Sequence, residues 1–94
     1  MGNSHYFYVV ECRDGSYYAG YTNNLYVRIR KHNEGKGAKY TRGRTPVKLI
    51  YFRRYETKRE ALQAEYYFKQ LSRRKKEQFI AKERQYNVFS TEKF

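Results

Sequence analysis

Apolar positions near the start of the chain fall in two short runs rather than at helical spacing, a pattern that is typical of β-strands. Two segments rich in aromatic and β-branched residues, Tyr6–Cys12 and Ser16–Tyr21, are separated by a turn signal, RDG, at residues 13–15. Short strands on either side of such a turn are the signature of a hairpin. The opening of the chain therefore predicts a β-hairpin.

The length of the hairpin loop decides which side chains share a face of the sheet. A three-residue loop with Gly15 in the left-handed region pairs Val10 with Tyr18, and residues that lie opposite each other share a face. Tyr8, Val10, Tyr18 and Gly20 then line one face, whereas a two-residue loop would place the two tyrosines on opposite faces. We predict the three-residue loop, because a site shared by both tyrosines requires it.

The chain after the hairpin predicts a helix and then a loop. Asn23 or Asn24 can accept a hydrogen bond from the first free amides of a helix, which is expected to run to about Asn33. Gly35 supplies a C-terminal stop, because glycine adopts the left-handed conformation without steric cost. Residues 36–46 (KGAKYTRGRTP) carry four cations and no acid, and predict a loop.

A third strand and two further helices are predicted in the rest of the chain. Residues 47–55 (VKLIYFRRY) alternate as a strand does, and residues 57–60 (TKRE) form a capping box ahead of a helix with an apolar stripe. Ser72 is suited to cap a last helix that ends at about Arg84. Residues 87–94 are expected to form a loose tail.

The predicted fold class is α+β: a three-stranded antiparallel sheet flanked by helices, in the order β-β-α-β-α-α. A chain of 94 residues allows a single domain, residues 1–94, with its core at about 5–83. The only cysteine, Cys12, allows no disulfide within the chain and fits a reducing cytoplasm, where we expect the protein. No run of 18 apolar residues occurs, so no membrane span is expected.

The net charge of the chain indicates its binding partner rather than its fold. Lysine and arginine total 21 against 9 acidic residues, which gives a formal net charge of +12. This excess is larger than the roughly 2–8 units that keep a small domain soluble. Nucleic acid is the polyanion that such a surface most often binds, while an anionic membrane and ribosomal RNA are alternative partners. The small apolar stripe of the second helix suits packing on a sheet better than insertion into a membrane.

Five positions, in order along the chain, resemble one known family. Tyr8 ends the run YFY and Tyr18 begins the run YAG ten residues later, which resembles the paired motifs of the GIY-YIG nucleases. The first motif keeps only its last tyrosine, and the second keeps its tyrosine and glycine. Arg28 and His32, four residues apart on the first predicted helix, and Glu65 on the second resemble family positions on the corresponding helices. The chain most resembles the short, stand-alone bacterial members.

The resemblance implies a metal-dependent DNA endonuclease that hydrolyses phosphodiester bonds and serves DNA repair or processing on damaged or branched DNA. It makes Glu65 the ligand of a divalent metal ion, and one carboxylate with phosphate oxygens suits Mg²⁺. Tyr8 would act as general base, although a tyrosine with the ordinary pKa of about 10 needs nearby cations for this. Tyr18 would position the water or the phosphate. Arg28 would hold the scissile phosphate, and His32 would relay protons near pH 7.

Each of these residues also has an ordinary structural explanation. The two tyrosines could pack across strands, Arg28 and His32 could be solvated helix residues, and Glu65 could pair with Lys69 one turn later. Gly20 is expected at a place where the absence of a Cβ lets another group come close, and a strand bulge is the alternative explanation for it. The sequence leaves these alternatives open.

A nucleic-acid surface is expected beside this site. The loop cations Lys36, Lys39, Arg42 and Arg44 would contact DNA phosphates, which orient a duplex without reading its sequence. No sequence-reading module is recognisable, so a protein partner that supplies specificity is expected, and RNA is a second candidate ligand. The alternative function is a non-catalytic nucleic-acid-binding module with the same fold, which would bind in a salt-sensitive manner without turnover.

Overall fold

The computed structural model describes residues 4–86 and the side chains of residues 4–84, while residues 1–3 and 87–94 lie outside it. The elements follow the predicted order, with one 3₁₀ turn added: β1 (His5–Glu11), β2 (Tyr17–Thr22), α1 (Leu25–Asn33), the 3₁₀ turn (Lys39–Thr41), β3 (Lys48–Tyr55), α2 (Lys58–Lys69) and α3 (Arg73–Tyr86). The α+β prediction is confirmed, and the tail predicted at 87–94 falls outside the described residues. In the described part of the chain, no helix has the length and apolar character needed to cross a membrane.

The hairpin has the predicted register. Strand β1 lies between β2 and β3 and pairs antiparallel with both. Val10 pairs with Tyr18, and Gly15 in the turn has a φ of 86°. The prediction of a three-residue loop is therefore confirmed. The same register places Tyr8 directly opposite Gly20.

The central strand contributes to two cores, because alternate residues point to opposite faces of the sheet. Tyr8 and Val10 pack on one face with Leu25 and Ile29 of α1. A second cluster on the other face joins the sheet to α2 and α3: Phe7, Val9, Ala19, Tyr51, Phe68 and Ile80. Burial of each large apolar side chain contributes roughly 1.5–3 kcal/mol. The sheet thus separates α1 from α2 and α3, and Tyr8 faces α1.

Both ends of α1 are fixed by local contacts. Asn24 is the N-cap, and its side-chain oxygen accepts a hydrogen bond from the Val27 N–H across 3.1 Å. Gly35 has a φ of 77°, the left-handed conformation that ends a helix. The structure therefore selects Asn24 over Asn23 as the cap and confirms the predicted stop at Gly35.

The other two helices begin at the predicted caps. The Thr57 hydroxyl accepts a hydrogen bond from the Glu60 N–H at 3.2 Å, at the start of α2. The Ser72 hydroxyl accepts from the Lys75 N–H at 3.3 Å, at the start of α3. Helix α3 continues to Tyr86, two residues beyond the predicted end. Each cap of this kind contributes about 1 kcal/mol, because it satisfies an amide that has no partner within the helix.

The segment between α1 and β3, residues 36–46, is called the basic loop below. The Arg44 guanidinium donates to the Asp14 carboxylate of the hairpin turn across 3.0 Å. At the far end, the Val47 N–H donates to the side-chain oxygen of Asn33 across 2.6 Å. The hairpin turn and the end of α1 therefore hold a segment that the sequence predicts only as a loop.

Candidate active site

Three of the predicted site residues meet in the core on the α1 side of the sheet. Tyr8 is fully buried, with 0% of its surface exposed, and its Oη lies 2.8 Å from Nε2 of His32. Arg28 Nε donates a hydrogen bond to the same Oη across 3.2 Å. Arg28 and His32 reach one oxygen because residues four apart share a face of a helix. We call these three residues the Tyr8 cluster.

His32 is held at its other ring nitrogen by Thr41, a residue that the sequence did not single out. His32 Nδ1 lies 2.8 Å from Thr41 Oγ1, and Thr41 Oγ1 donates to the carbonyl of Ala38 across 3.0 Å. A threonine hydroxyl has a single proton, so Thr41 accepts the hydrogen bond from Nδ1–H. In the neutral ring Nε2 then carries no proton, and it accepts the hydrogen bond from the Tyr8 hydroxyl.

The charge of His32 follows from its surroundings. The ring is fully buried, and burial lowers the pKa of His32 from 6.5 to about 4, with the Arg28 charge acting in the same direction. The imidazole is therefore neutral at pH 7, and Nε2 is then free to accept the hydrogen bond from the Tyr8 hydroxyl. The sequence suggests a relay that titrates near pH 7, and burial corrects this expectation. What the site provides is an uncharged acceptor for the Tyr8 proton.

The Tyr8 hydroxyl is also held in its neutral form. Burial raises the pKa of Tyr8 from 10.0 to about 12, although the hydrogen bond and the charge of Arg28 lower it. The sequence-based hypothesis needs nearby cations to favour the phenolate, but burial outweighs the cation in contact. A base at this position therefore needs an acceptor for its own proton, and His32 Nε2 is placed to be that acceptor.

Tyr18 borders the Tyr8 cluster on the side of strand β2. Its ring packs edge-on against the His32 ring, with the centroids 5.4 Å apart. Burial lowers the pKa of Arg28, but hydrogen bonds and charge interactions with Tyr8 and Tyr18 raise it overall, so the guanidinium stays charged. The two tyrosines, which share a face of the hairpin, thus both interact with Arg28 of helix α1.

Glu65 approaches the cluster from helix α2. Its side chain is 16% exposed and forms an ion pair with Lys69 Nζ, one turn later, at 2.8 Å. After burial, the charge of Glu65 is one of the factors that raise the pKa of Tyr8, so the carboxylate lies within electrostatic reach of the phenol. Glu65 therefore forms the ion pair with Lys69 that its ordinary structural explanation predicts, and it also lies near the Tyr8 cluster.

Glu65 is the residue that could hold the divalent ion implied by the resemblance. Among the described residues, no group of three or more His, Cys, Asp or Glu side chains is placed to bind a metal ion. One carboxylate can still hold Mg²⁺ when phosphate and water oxygens complete its coordination. Because Lys69 engages Oε2 of Glu65, the ammonium group would compete with such an ion.

Two glycines leave room for the rings of the Tyr8 cluster. A Cβ on Gly20 would lie 2.5 Å from the Tyr8 Oη, so any other residue there would displace the phenol. Gly37 in the basic loop stands in the same relation to the His32 ring, because a Cβ there would overlap Nδ1. The sequence predicts a close approach at Gly20, whereas nothing distinguishes Gly37 from the other loop glycines.

The four predicted loop cations differ in their surroundings. Lys36, Lys39 and Arg42 are exposed. Arg44 is half-buried, and its guanidinium donates to the Tyr40 carbonyl at 2.7 Å and lies 4.1 Å from the centroid of the Tyr40 ring. The three exposed cations are suited to phosphate contacts, whereas Arg44 also serves to hold the basic loop in place.

The sequence matches a known family over most of its length. The family model described as GIY-YIG catalytic domain matches residues 4–78. A UPF0213 protein of Bacillus licheniformis is 65% identical over 86 residues, which covers 92% of this chain and 89% of the relative. The UPF0213 protein YazA of Bacillus subtilis is 61% identical over 82 residues, which covers 87% and 83%. Neither name states an activity.

Two solution NMR structures have similar folds. That of a UPF0213 protein from Bacillus halodurans is 54% identical, with 83% of each chain covered and a TM-score of 0.56. That of a protein from E. faecalis is 45% identical, with 96% of this chain and 98% of the other covered and a TM-score of 0.64. On the extent of the family match and on these identities, the chain belongs to the GIY-YIG catalytic domain family, a family of nucleases.

Proposed function

We propose that the chain is a metal-dependent endonuclease that hydrolyses phosphodiester bonds in DNA. Family membership supports a nuclease, and the net charge of +12 supports a polyanionic substrate. The observation that carries the proposal is the Tyr8 cluster, in which an uncharged imidazole and a guanidinium both bond one phenol oxygen. We infer a cytoplasmic role in DNA repair or processing on damaged or branched DNA, with a protein partner that supplies specificity.

Tyr8 can take part in the reaction only after Arg28 moves. The Tyr8 side chain is fully buried, and Arg28 is hydrogen-bonded to its Oη. A phosphate offers the guanidinium two charged oxygens in a bidentate arrangement, which is a stronger interaction than one hydrogen bond to a neutral phenol. Binding of a phosphate would therefore draw Arg28 away and let a water molecule approach the Tyr8 oxygen.

The attacking water would lose its proton along a fixed path. Its proton would pass to Tyr8 Oη while the Tyr8 hydroxyl proton passes to His32 Nε2, so the phenol is neutral before and after. Thr41 keeps the proton on Nδ1, which leaves Nε2 as the acceptor. Because burial and Arg28 hold the pKa of His32 down to about 4, the imidazolium would be stabilised chiefly by the negative charge of bound phosphate.

Arg28, together with a divalent ion held by Glu65, would counter the charge of the phosphate. The guanidinium would hold the scissile phosphate and offset the negative charge that develops in the transition state. Glu65 would hold a divalent ion, and Mg²⁺ is the ion best suited to one carboxylate with phosphate oxygens. Such an ion would stabilise the negative charge on the phosphate and on the leaving oxygen. Tyr18, which lies beside Arg28, would orient the phosphate or the water.

One pair of observations favours the alternative of a non-catalytic nucleic-acid-binding module. Lys69 engages the carboxylate that would hold the metal ion, and Tyr8 is sealed from solvent. The site must therefore rearrange before it can bind a metal ion or a water molecule. A module that never rearranges would bind DNA or RNA with strongly salt-dependent affinity and without turnover.

Cleavage of labelled DNA in the presence of Mg²⁺ distinguishes these two functions. Duplex, single-stranded and branched substrates would be compared for the wild type, Glu65→Gln and Arg28→Ala, with Glu34→Gln at an exposed helix end as the matched control. We expect both site variants to lose about 100-fold or more in rate, while Glu34→Gln keeps wild-type activity. Equal activity in all four proteins would contradict the assignment, and salt-sensitive binding without cleavage would favour the module.

A further inference from the structure

A cleft of about 150 Å³ lies beside the Tyr8 cluster, next to strand β2, which is an edge strand of the sheet. Its lining is aromatic and cationic, and we call it the aromatic cleft: Tyr17, Tyr18, Tyr40, Phe68, Lys69 and Lys76. Its volume is below the roughly 300–1,000 Å³ of pockets that take drug-sized ligands. A cleft of this size and composition suits a single planar ring system.

Tyr18 joins the aromatic cleft to the Tyr8 cluster. Its ring lines the cleft and also packs on the His32 ring, with centroids 5.4 Å apart. Tyr40, from the basic loop, stacks on Tyr18 with centroids 6.0 Å apart and ring planes inclined by 22°. A group bound in the cleft would therefore be a close neighbour of a phosphate held by Arg28.

Two arginines hold the aromatic walls in place. Arg44 lies 4.1 Å from the Tyr40 ring centroid, and Arg73 lies 3.6 Å from the Tyr17 ring centroid. Arg73 is itself fixed by a hydrogen bond to the Gly15 carbonyl at 2.8 Å. The walls are thus formed before a ligand arrives, which reduces the entropy lost on binding. Each guanidinium is also paired with a carboxylate, which further restricts its movement.

We propose that the aromatic cleft binds one unpaired nucleobase of the DNA strand, next to the phosphate that the Tyr8 cluster would attack. Every base has a π-face, and stacking on aromatic side chains is tolerant of sequence. Lys69 and Lys76 suit the phosphates on either side of that base. A paired base within a duplex cannot enter so small a cleft. The inference rests on the proposed function and defines its substrate class as DNA with an unpaired nucleotide at the cut.

Binding of a fluorescent base analogue tests this assignment without any cleavage. Wild-type protein in buffer with a chelator would be titrated with three DNA duplexes: one fully paired, one with a single unpaired 2-aminopurine, and one with an abasic nucleotide at that position. We expect the unpaired base to be bound about 5- to 100-fold more tightly than the abasic nucleotide. Stacking in the cleft should also quench the 2-aminopurine fluorescence.

Tyr40 is the position to vary, because it is 40% exposed and its removal leaves the core intact. Tyr40→Ala should lose both the preference for the base and the quenching, whereas Tyr40→Phe should keep both. Tyr26→Ala, at another exposed tyrosine, is the matched control and should behave as the wild type. All four proteins should bind the fully paired duplex equally, because phosphate contacts do not depend on the cleft.

Equal affinity for the base-bearing and abasic duplexes would overturn the assignment, and so would an unchanged preference in Tyr40→Ala. Failure of the cleft and failure of the proposed function are distinguishable, because these titrations need neither a metal ion nor turnover. A base preference without any cleavage would uphold the cleft and reject the endonuclease. Cleavage without a base preference would uphold the endonuclease and reject the cleft.

Discussion

In the proposed reaction Thr41 would act through the His32 side chain, which makes it a positioning residue. Its hydroxyl is fixed by the Ala38 carbonyl and in turn fixes the proton on Nδ1 of His32. A neutral imidazole has two tautomers, and only one of them leaves Nε2 as an acceptor for the Tyr8 proton. The buried hydroxyl of Thr41 thus determines whether His32 Nε2 can accept the Tyr8 proton.

Replacement of Thr41 by valine keeps the shape of the side chain and removes its hydroxyl. We expect Thr41→Val to leave the Nδ1–H of His32 without a buried partner, at a cost of about 1–3 kcal/mol in unfolding free energy. The ¹⁵N chemical shifts of the His32 ring should change from those of a single tautomer to those of a mixture. Thr41→Ser should restore the single tautomer. Identical ring shifts in the valine variant would show that Thr41 has no positioning role.

The residues that meet in the Tyr8 cluster were predictable, but their connections were not. Tyr8, Arg28 and His32 converge through the register of a hairpin and the period of a helix, which are local rules. Thr41 reaches His32 only through the path of the basic loop, and Tyr8 is buried by several elements packed together. Contacts of this kind leave no local pattern in the sequence, so neither the hydrogen-bond chain nor the shifted pKa values could be read from it.

Helix α1 carries two members of the Tyr8 cluster, so its N-terminus supports the site as well as the helix. The sequence allows Asn23 or Asn24 as the cap, and only Asn24 bonds the free amide of Val27. We expect Asn24→Ala to lower the unfolding free energy by about 1 kcal/mol. Asn23→Ala is the matched control and should change it by less than half as much. Urea denaturation would measure both, and equal losses would contradict the assignment of the cap.

Elements with a clear period or cap were predicted within a residue or two. The basic loop was predicted as a loop, but its internal structure was not. The capped starts of α2 and α3 and the glycine stop of α1 follow from side chains within one helical turn. The basic loop instead depends on Asp14 and Asn33, which lie in other elements. Its 3₁₀ turn at Lys39–Thr41 was therefore missed.

Burial of a neutral histidine makes the stability of the whole molecule depend on pH. The pKa of His32 is about 4 in the folded chain against 6.5 for an ordinary histidine, so the unfolded chain binds that proton more readily. The stabilisation is fully present above about pH 6.5 and is lost as the pH falls towards 4. We expect a loss of about 2 kcal/mol between pH 7 and pH 5.

Urea denaturation across this pH range would measure the effect. His5→Gln is the matched control, since it removes the other histidine of the chain and should keep the pH dependence. His32→Gln should reduce the slope between pH 7 and pH 5. An unfolding free energy that is constant over this range in the wild type would show that His32 is accessible to protons in the folded protein.

The order of elements and the α+β class follow from the pattern of apolar positions along the chain, which forms strand-like runs in three segments and helical stripes in the others. That pattern does not specify which helix covers which face of the sheet. The division of the core, with α1 on one face and α2 and α3 on the other, decides that the Tyr8 cluster is assembled with α1 while Glu65 approaches from α2.

Surface loops usually tolerate substitutions and insertions better than the elements they connect. The basic loop is constrained differently, because Gly37 and Thr41 both stand against the His32 ring while Lys36, Lys39 and Arg42 face solvent. An added or deleted residue would move the first two away from the imidazole. As descendants of this chain diverge, the residues that face solvent can change as far as phosphate binding allows, whereas the length of the loop is set by the histidine that it holds.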